Sequence, residues 1–172
     1  MKVSRKVSMA DYVPTAQDLA MMEKAIHEAR QVIDAGKAGV AALLLWHNEI
    51  VAQGHNRYEE TGDMTAHGEM VVLRSAAEFL HALTAEEKAY LTIYVTLEPC
   101  LMCLSAISFV GIKRVVYAAL AEDANAEELI ARGLTAEKLN PLLTRGPLEL
   151  VPGVLRAEGR ELLARMGKLR RN

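Results

Sequence analysis

The chain has 172 residues, 51% of them hydrophobic and 24% charged, with a net charge of −2. That length suits one soluble globular domain with a real core, the near-neutral charge gives no general pull toward nucleic acid, and no run of about 18 apolar residues is there to span a membrane. The two cysteines, three residues apart, argue against a disulfide scaffold and fit a reducing, cytoplasmic setting.

Residues 1–14 read as a loose N-terminal arm, and residues 15–172 as a single domain. Lys2, Arg5 and Lys6 have no apolar run behind them, so the arm is not a secretory signal. Thr15 is a candidate N-cap with Asp18 three residues on. Leu19, Met22, Ile26, Ala29 and Ile33 then fall on one face, which predicts a core-covering helix up to Gly36. Val40 to Trp46 reads as a buried strand, 47–49 as a turn and Ile50 to His55 as the returning strand of a hairpin. A polar loop, Asn56 to Met64, leads to a buried helix over 70–83. After a charged connection, Leu91 to Leu97 is a third strand, rich in Thr, Ile, Tyr and Val. A helix through Gly111 and a fourth strand, Arg114 to Leu120, follow. Ala121 to Leu143 reads as helix-rich, Leu148 to Val151 as a fifth strand and Val154 to Leu169 as a last helix. A long crossover between the fourth and fifth strands implies that they are parallel. The pattern is that of a three-layer α/β/α domain around a mixed five-stranded sheet.

Both cysteines lie where the third strand ends, in Thr96-Leu97-Glu98-Pro99-Cys100-Leu101-Met102-Cys103. Pro suits the start of a helix, Cys100 and Cys103 share a helix face, and a helix N-terminus favours thiolate. Two sulfurs do not complete a zinc site. His67, in Thr65-Ala66-His67-Gly68-Glu69, can supply a third ligand. Cys-x-x-Cys alone would equally suit a structural zinc half-site or a redox pair, but no other cysteine exists to close a structural site. His27, His47, His55 and His81 stand in no ligand spacing. With three protein ligands, one position remains for water, whose pKa zinc lowers to about 7. Glu69, two residues from His67, does not share its helix face and is placed to flank that water.

His-x-Glu followed by Pro-Cys-x-x-Cys, together with Gly54-His55-Asn56-Arg57, resembles the cytidine deaminase-like zinc deaminase superfamily, in its nucleobase, deoxycytidylate and tRNA-adenosine branch. The resemblance runs from about Leu19 to Ala119. It implies the strand order 2-1-3-4-5 with strands 4 and 5 parallel, and one catalytic zinc per chain on His67, Cys100 and Cys103. It further implies Glu69 as proton shuttle, Asn56 as a base-reading residue and a homodimer across the metal helices. By residue type alone, Asn56 could as well stabilise its loop. Glu98 is matched by the resemblance but has no evident chemical role.

The chain departs from many relatives at Gly68 (Ala there), at Leu101 (Pro there), at Lys37-Ala38-Gly39-Val40-Ala41 before the first strand, and in the insertion after the fourth. These departures and the mild acidity favour a small-molecule substrate: a free nucleobase or similar amino-heterocycle, such as cytosine, guanine or an analogue. The alternative is deamination of tRNA adenosine. Asp63-Met64-Thr65-Ala66-His67 resembles the Asp-Pro-Thr-Ala-His of those enzymes, and Arg156, Arg160, Arg165, Lys168, Arg170 and Arg171 could follow a phosphate backbone. A non-catalytic zinc subunit on the same scaffold is a third reading, against which Glu69 stands.

Overall fold

A computed structural model describes residues 13–127 and 129–169; the expected arm up to residue 12, and Arg170 and Arg171, lie outside the described residues. Helix α1 spans Ala16–Asp34 and opens with the expected reciprocal cap. Asp18 N donates to Thr15 Oγ1 at 3.1 Å, and Thr15 N donates to Asp18 Oδ2 at 3.0 Å. The buried face differs by one position from the expected one. Leu19 is 36% exposed and Asp18 only 1%. Asp18 is turned inward because Arg114 meets it there, at 2.7 Å, and the Tyr94 hydroxyl donates to the same oxygen at 3.1 Å. A buried carboxylate is tolerated only with partners of this kind.

Strand β1 (Ala41–Trp46) lies inside the sheet, antiparallel to β2 (Glu49–His55) and β3 (Leu91–Leu97). Its near-continuous burial explains its unbroken apolar run. β3 pairs in parallel with β4 (Arg114–Ala119), and β4 with β5 (Glu149–Val151), giving the order β2-β1-β3-β4-β5. Alternate residues of β1 serve two cores. Leu44 packs with Ile93 and Val115 under α2 (Gly68–Ser75), α3 (Ala77–Ala82) and α4 (Leu101–Val110). Leu43 and Leu45 pack on the other face with Tyr94 and Val116, under α1 and α5 (Arg156–Leu169). No helix among the described residues is long and apolar enough to cross a membrane.

Two helical expectations change. The helix expected over 70–83 begins at Gly68 and breaks at Ala76 (φ −92°, ψ 9°) into α2 and α3. The segment expected to be helix-rich, Ala121 to Leu143, holds among its described residues only short turns at Ala121–Asp123, Ala136–Leu139 and Asn140–Leu142. The first amides of two of these turns, and the amide just before the segment, are taken by carboxylates. Glu98 accepts from Ala121 N and Ala136 N, and Asp123 from Leu120 N.

Candidate active site

The site forms where two helix N-termini meet at the C-terminal end of β3. Cys100 is the N-cap of α4, in extended backbone (φ −68°, ψ 170°), and Cys103 is buried in its first turn. His67 is the N-cap of α2 (φ −65°, ψ 157°). Its Nδ1 lies 3.7 Å from each of the two sulfurs, and the three donor atoms fall within 4.8 Å of one another. Zinc bonds of about 2.0 Å to nitrogen and 2.3 Å to sulfur place tetrahedral N and S donors about 3.6 Å apart. The residues present therefore fit that ion. The Cys100 thiol is pulled down to about 4, chiefly by the hydrogen bond from Cys103. Cys103 is pushed up, chiefly by Cys100.

Gly68 is required by this packing. A Cβ there would stand 2.6 Å from the Val40 carbonyl oxygen, because the start of α2 lies directly on the backbone that enters β1. The departure from the Ala of many relatives thus coincides with the departure at Lys37 to Ala41, on the other side of the same contact.

Glu69 follows in the first turn of α2 and is 3% exposed. Its Oε2 is buried and has no hydrogen-bond partner among the described residues. Burial pushes its carboxyl up to about 7. An orphaned buried oxygen is rare in a folded protein and points to a missing ligand or water. Asn56 stands at the pocket too. Its Oδ1 accepts from Val40 N at 2.7 Å, and its own N donates to Val40 O at 3.0 Å. A backbone N–H can face only the amide oxygen, so the flip state is fixed. Asn56 therefore holds its loop, as its type suggests, and what its side chain can offer a ligand is the Nδ2 donor.

The pocket extends from Glu69 and Asn56 to an outer wall that no motif announced. Leu129, Ile130 and Leu134 come from the segment after β4, and Leu163 and Met166 from α5. The Met166 sulfur accepts from Gly39 N at 3.1 Å, and a Cβ at Gly159 would stand 2.7 Å from Ala119 N, so α5 lies close against the sheet end. The apolar spacing of the last helix was the one available signal for Leu163 and Met166. Glu98 also lines the pocket, and its carboxylate bridges Ala136 N at 2.6 Å and Ala121 N at 2.8 Å.

Residues 15–119 match the zinc-binding region of cytidine and deoxycytidylate deaminases. The chain belongs to the cytidine deaminase-like zinc deaminases. As a member of this superfamily it is a zinc-dependent aminohydrolase acting on a cyclic amidine, and its sheet order is the family's. It is similar to the tRNA-specific adenosine deaminase of Agrobacterium fabrum, 40% identical over 60% of this chain and 66% of that protein. The tRNA-specific adenosine deaminase of Bacillus subtilis is 33% identical over 83% of each chain. A solved structure from work on A-to-I editing by tRNA:A34 deaminases is 32% identical. It covers 84% of this chain and 99% of that one, with a TM-score of 0.67.

These relatives overturn the expectation of a free nucleobase or small heterocycle as substrate, since they are named for adenosine in tRNA. The mild net acidity was a poor guide because it averages over the whole surface, and the divergent segment after β4 lies outside the matched region. The basic tail is no support either. Arg156 is bound to Asp123 and Glu122, Arg160 faces Asp123 at 3.5 Å, and Arg165 is paired with Asp34. Three of the cations expected on a phosphate surface thus have acids of the fold as neighbours.

Proposed function

We propose that this protein is a tRNA adenosine deaminase, converting adenosine to inosine by hydrolytic loss of the ring amino group. The observation that carries the reading is 33% identity to a tRNA-specific adenosine deaminase across 83% of both chains. His67, Cys100 and Cys103 would hold one zinc ion per chain, which when bound would supply the Lewis acidity that makes a water nucleophilic near neutral pH. Glu69 takes a proton from the attacking water on its free Oε2 and delivers it to the ring nitrogen beside the carbon under attack. Burial raises its carboxyl above the usual carboxylate range, which favours its acting as a proton carrier. The water oxygen bonds to the ring carbon; Glu69, again a carboxylate, takes the remaining proton from that oxygen and gives it to the amino group, so that the carbon–amino bond breaks, ammonia leaves and a carbonyl remains. Asn56 Nδ2 donates to a ring acceptor and sets the base's orientation, and the apolar outer wall excludes water from its far side.

A base inside a polynucleotide reaches such a pocket only when turned out of its stack, and an anticodon loop presents bases already free of pairing. A homodimer through α4 completes the reading. On that helix Leu101 and Phe109 (68% exposed) stand on the outer face with Ser105 between them, a surface a second copy would cover. A reducing cytoplasm would keep the thiol pair available for metal. The test is zinc-loaded protein with an RNA hairpin carrying adenosine at the wobble position of an anticodon loop, with inosine read by mass spectrometry. Conversion is expected, and Glu69→Ala should keep zinc and lose it. Turnover of free bases with the hairpin untouched would overturn the reading.

A further inference from the structure

We propose that Glu98 is a positioning residue for the substrate pocket: its carboxylate ties the strand end that carries the cysteines to both ends of the apolar wall segment 121–136. The proposal rests on the reading of this pocket as the base site and adds what shapes it. The root of the Glu98 side chain is held firmly. Leu97 and Ala119 are the last ladder pair of β3 and β4. Glu98 N then donates to Ala119 O at 2.8 Å, one step beyond the ladder, and Pro99 restricts the backbone that follows. From there Oε2 accepts from Ala121 N at 2.8 Å, and Oε1 from Ala136 N at 2.6 Å.

Each of those amides opens a short helical turn, Ala121–Asp123 or Ala136–Leu139. First-turn amides have no intrahelical partner. A carboxylate is an acceptor with two oxygens and no donor, so one side chain satisfies both, through charge-assisted bonds. Between the two anchored points lie Leu129, Ile130 and Leu134, the outer wall of the pocket. Cutting the anchors would leave these side chains on a long loop with fewer fixed points, Asp123 and the buried Ala136 among them. Asp123 braces the neighbouring wall in the same manner. It accepts from Leu120 N at 2.9 Å and from Arg156, at the start of α5, at 2.8 Å. Both halves of the wall are thus referenced to the end of β4, beside the cysteines, while the hydrogen bonds of the Glu98 carboxylate go to the wall amides.

The test is Glu98→Gln in the full-length, zinc-loaded protein. The amide keeps the size and one acceptor but sets an N–H donor against a backbone N–H. With the anticodon hairpin as substrate, KM should rise roughly tenfold and kcat stay within about threefold, as expected when a charge-assisted brace away from the reacting atoms is lost. Zinc content should be unchanged, and the amides of Ala121 and Ala136 should exchange hydrogen faster. Ala136→Pro is the second variant, because it removes one donor without touching the metal helix. Its position is the first of a helical turn, where proline is accepted, and the extended backbone of Thr135 (φ −100°, ψ 165°) is what proline asks of its predecessor. It should raise KM in the same sense. Faster exchange with KM unchanged would overturn the positioning role. Slow exchange kept at both amides would overturn the brace itself, and loss of zinc or a fall in kcat alone would place Glu98 elsewhere in the machinery. Wild-type protein inert on the hairpin would count against the tRNA reading, while the exchange measurement, which needs no substrate, still judges Glu98.

Discussion

Residues 41–119 and residues 120–169 build the same pocket by different means. The first region places His67, Glu69, Cys100 and Cys103 with sheet ladders and two helix N-termini, so each functional side chain stands on regular backbone. The second places Leu129, Ile130, Leu134, Leu163 and Met166 with side-chain braces, from Glu98 and Asp123, and with one helix set close to the sheet. A ladder fails only when the fold fails, whereas a brace can be cut by one substitution. The chemistry of the site is therefore tied to its stability, and the shape of its outer wall is separable from both.

The comparison is broken most severely from the metal side. Cys103→Ser should abolish zinc retention and activity together, with a loss of at least about 1,000-fold, and should lower the melting temperature, because metal binding is coupled to folding; metal analysis and a thermal melt on one preparation check both. Glu69→Ala should leave zinc and fold in place and still remove about 100- to 10,000-fold of the rate, which single-turnover assays would measure. Survival of activity would remove Glu69 from the proton path.

Gly68→Ala sharpens the comparison inside the first region. The new Cβ meets the Val40 carbonyl, so α2 and the start of β1 must separate, at a cost of about 1–3 kcal/mol. Denaturant unfolding measures that cost. An unchanged midpoint would mean that the contact is looser than it stands here.

The candidate metal cluster and the sheet could be read from the sequence because both leave local marks. His67, Cys100 and Cys103 stand at the spacing their helix starts need, and β1 and β3 are short apolar runs of strand-forming residues. What could not be read depends on partners far along the chain or on backbone atoms. Asp18 is buried in place of Leu19 because of Arg114, 96 residues away. The tail arginines looked like a free basic face because Asp34 and Asp123 are not near them in sequence. Glu98 had no visible role because its partners are two amides, which no residue type encodes. The segment 121–143 has helix-forming composition, yet its described residues form only short turns, two of which open on amides bound by Glu98.

The smallest expected effect lies in the second region and depends on pH. Arg156 holds the Asp123 carboxyl below the usual carboxylate range. A depressed carboxyl contributes stability above its unfolded-state pKa and loses it as pH falls through the folded one. Acidification below about pH 4 should therefore loosen α5 from the wall. Asp123→Asn should flatten that part of the stability profile while zinc content stays the same; a profile identical to wild type would show that the brace carries no pH-dependent stability.

The most direct test of the central claim is a side-by-side comparison of kcat/KM for the anticodon hairpin and for free adenine, guanine and cytosine, using one zinc-loaded preparation with Glu69→Ala as control. The account predicts inosine in the hairpin, with free bases converted far more slowly or not at all. Efficient ammonia release from a free base, with the hairpin adenosine unchanged, would contradict it.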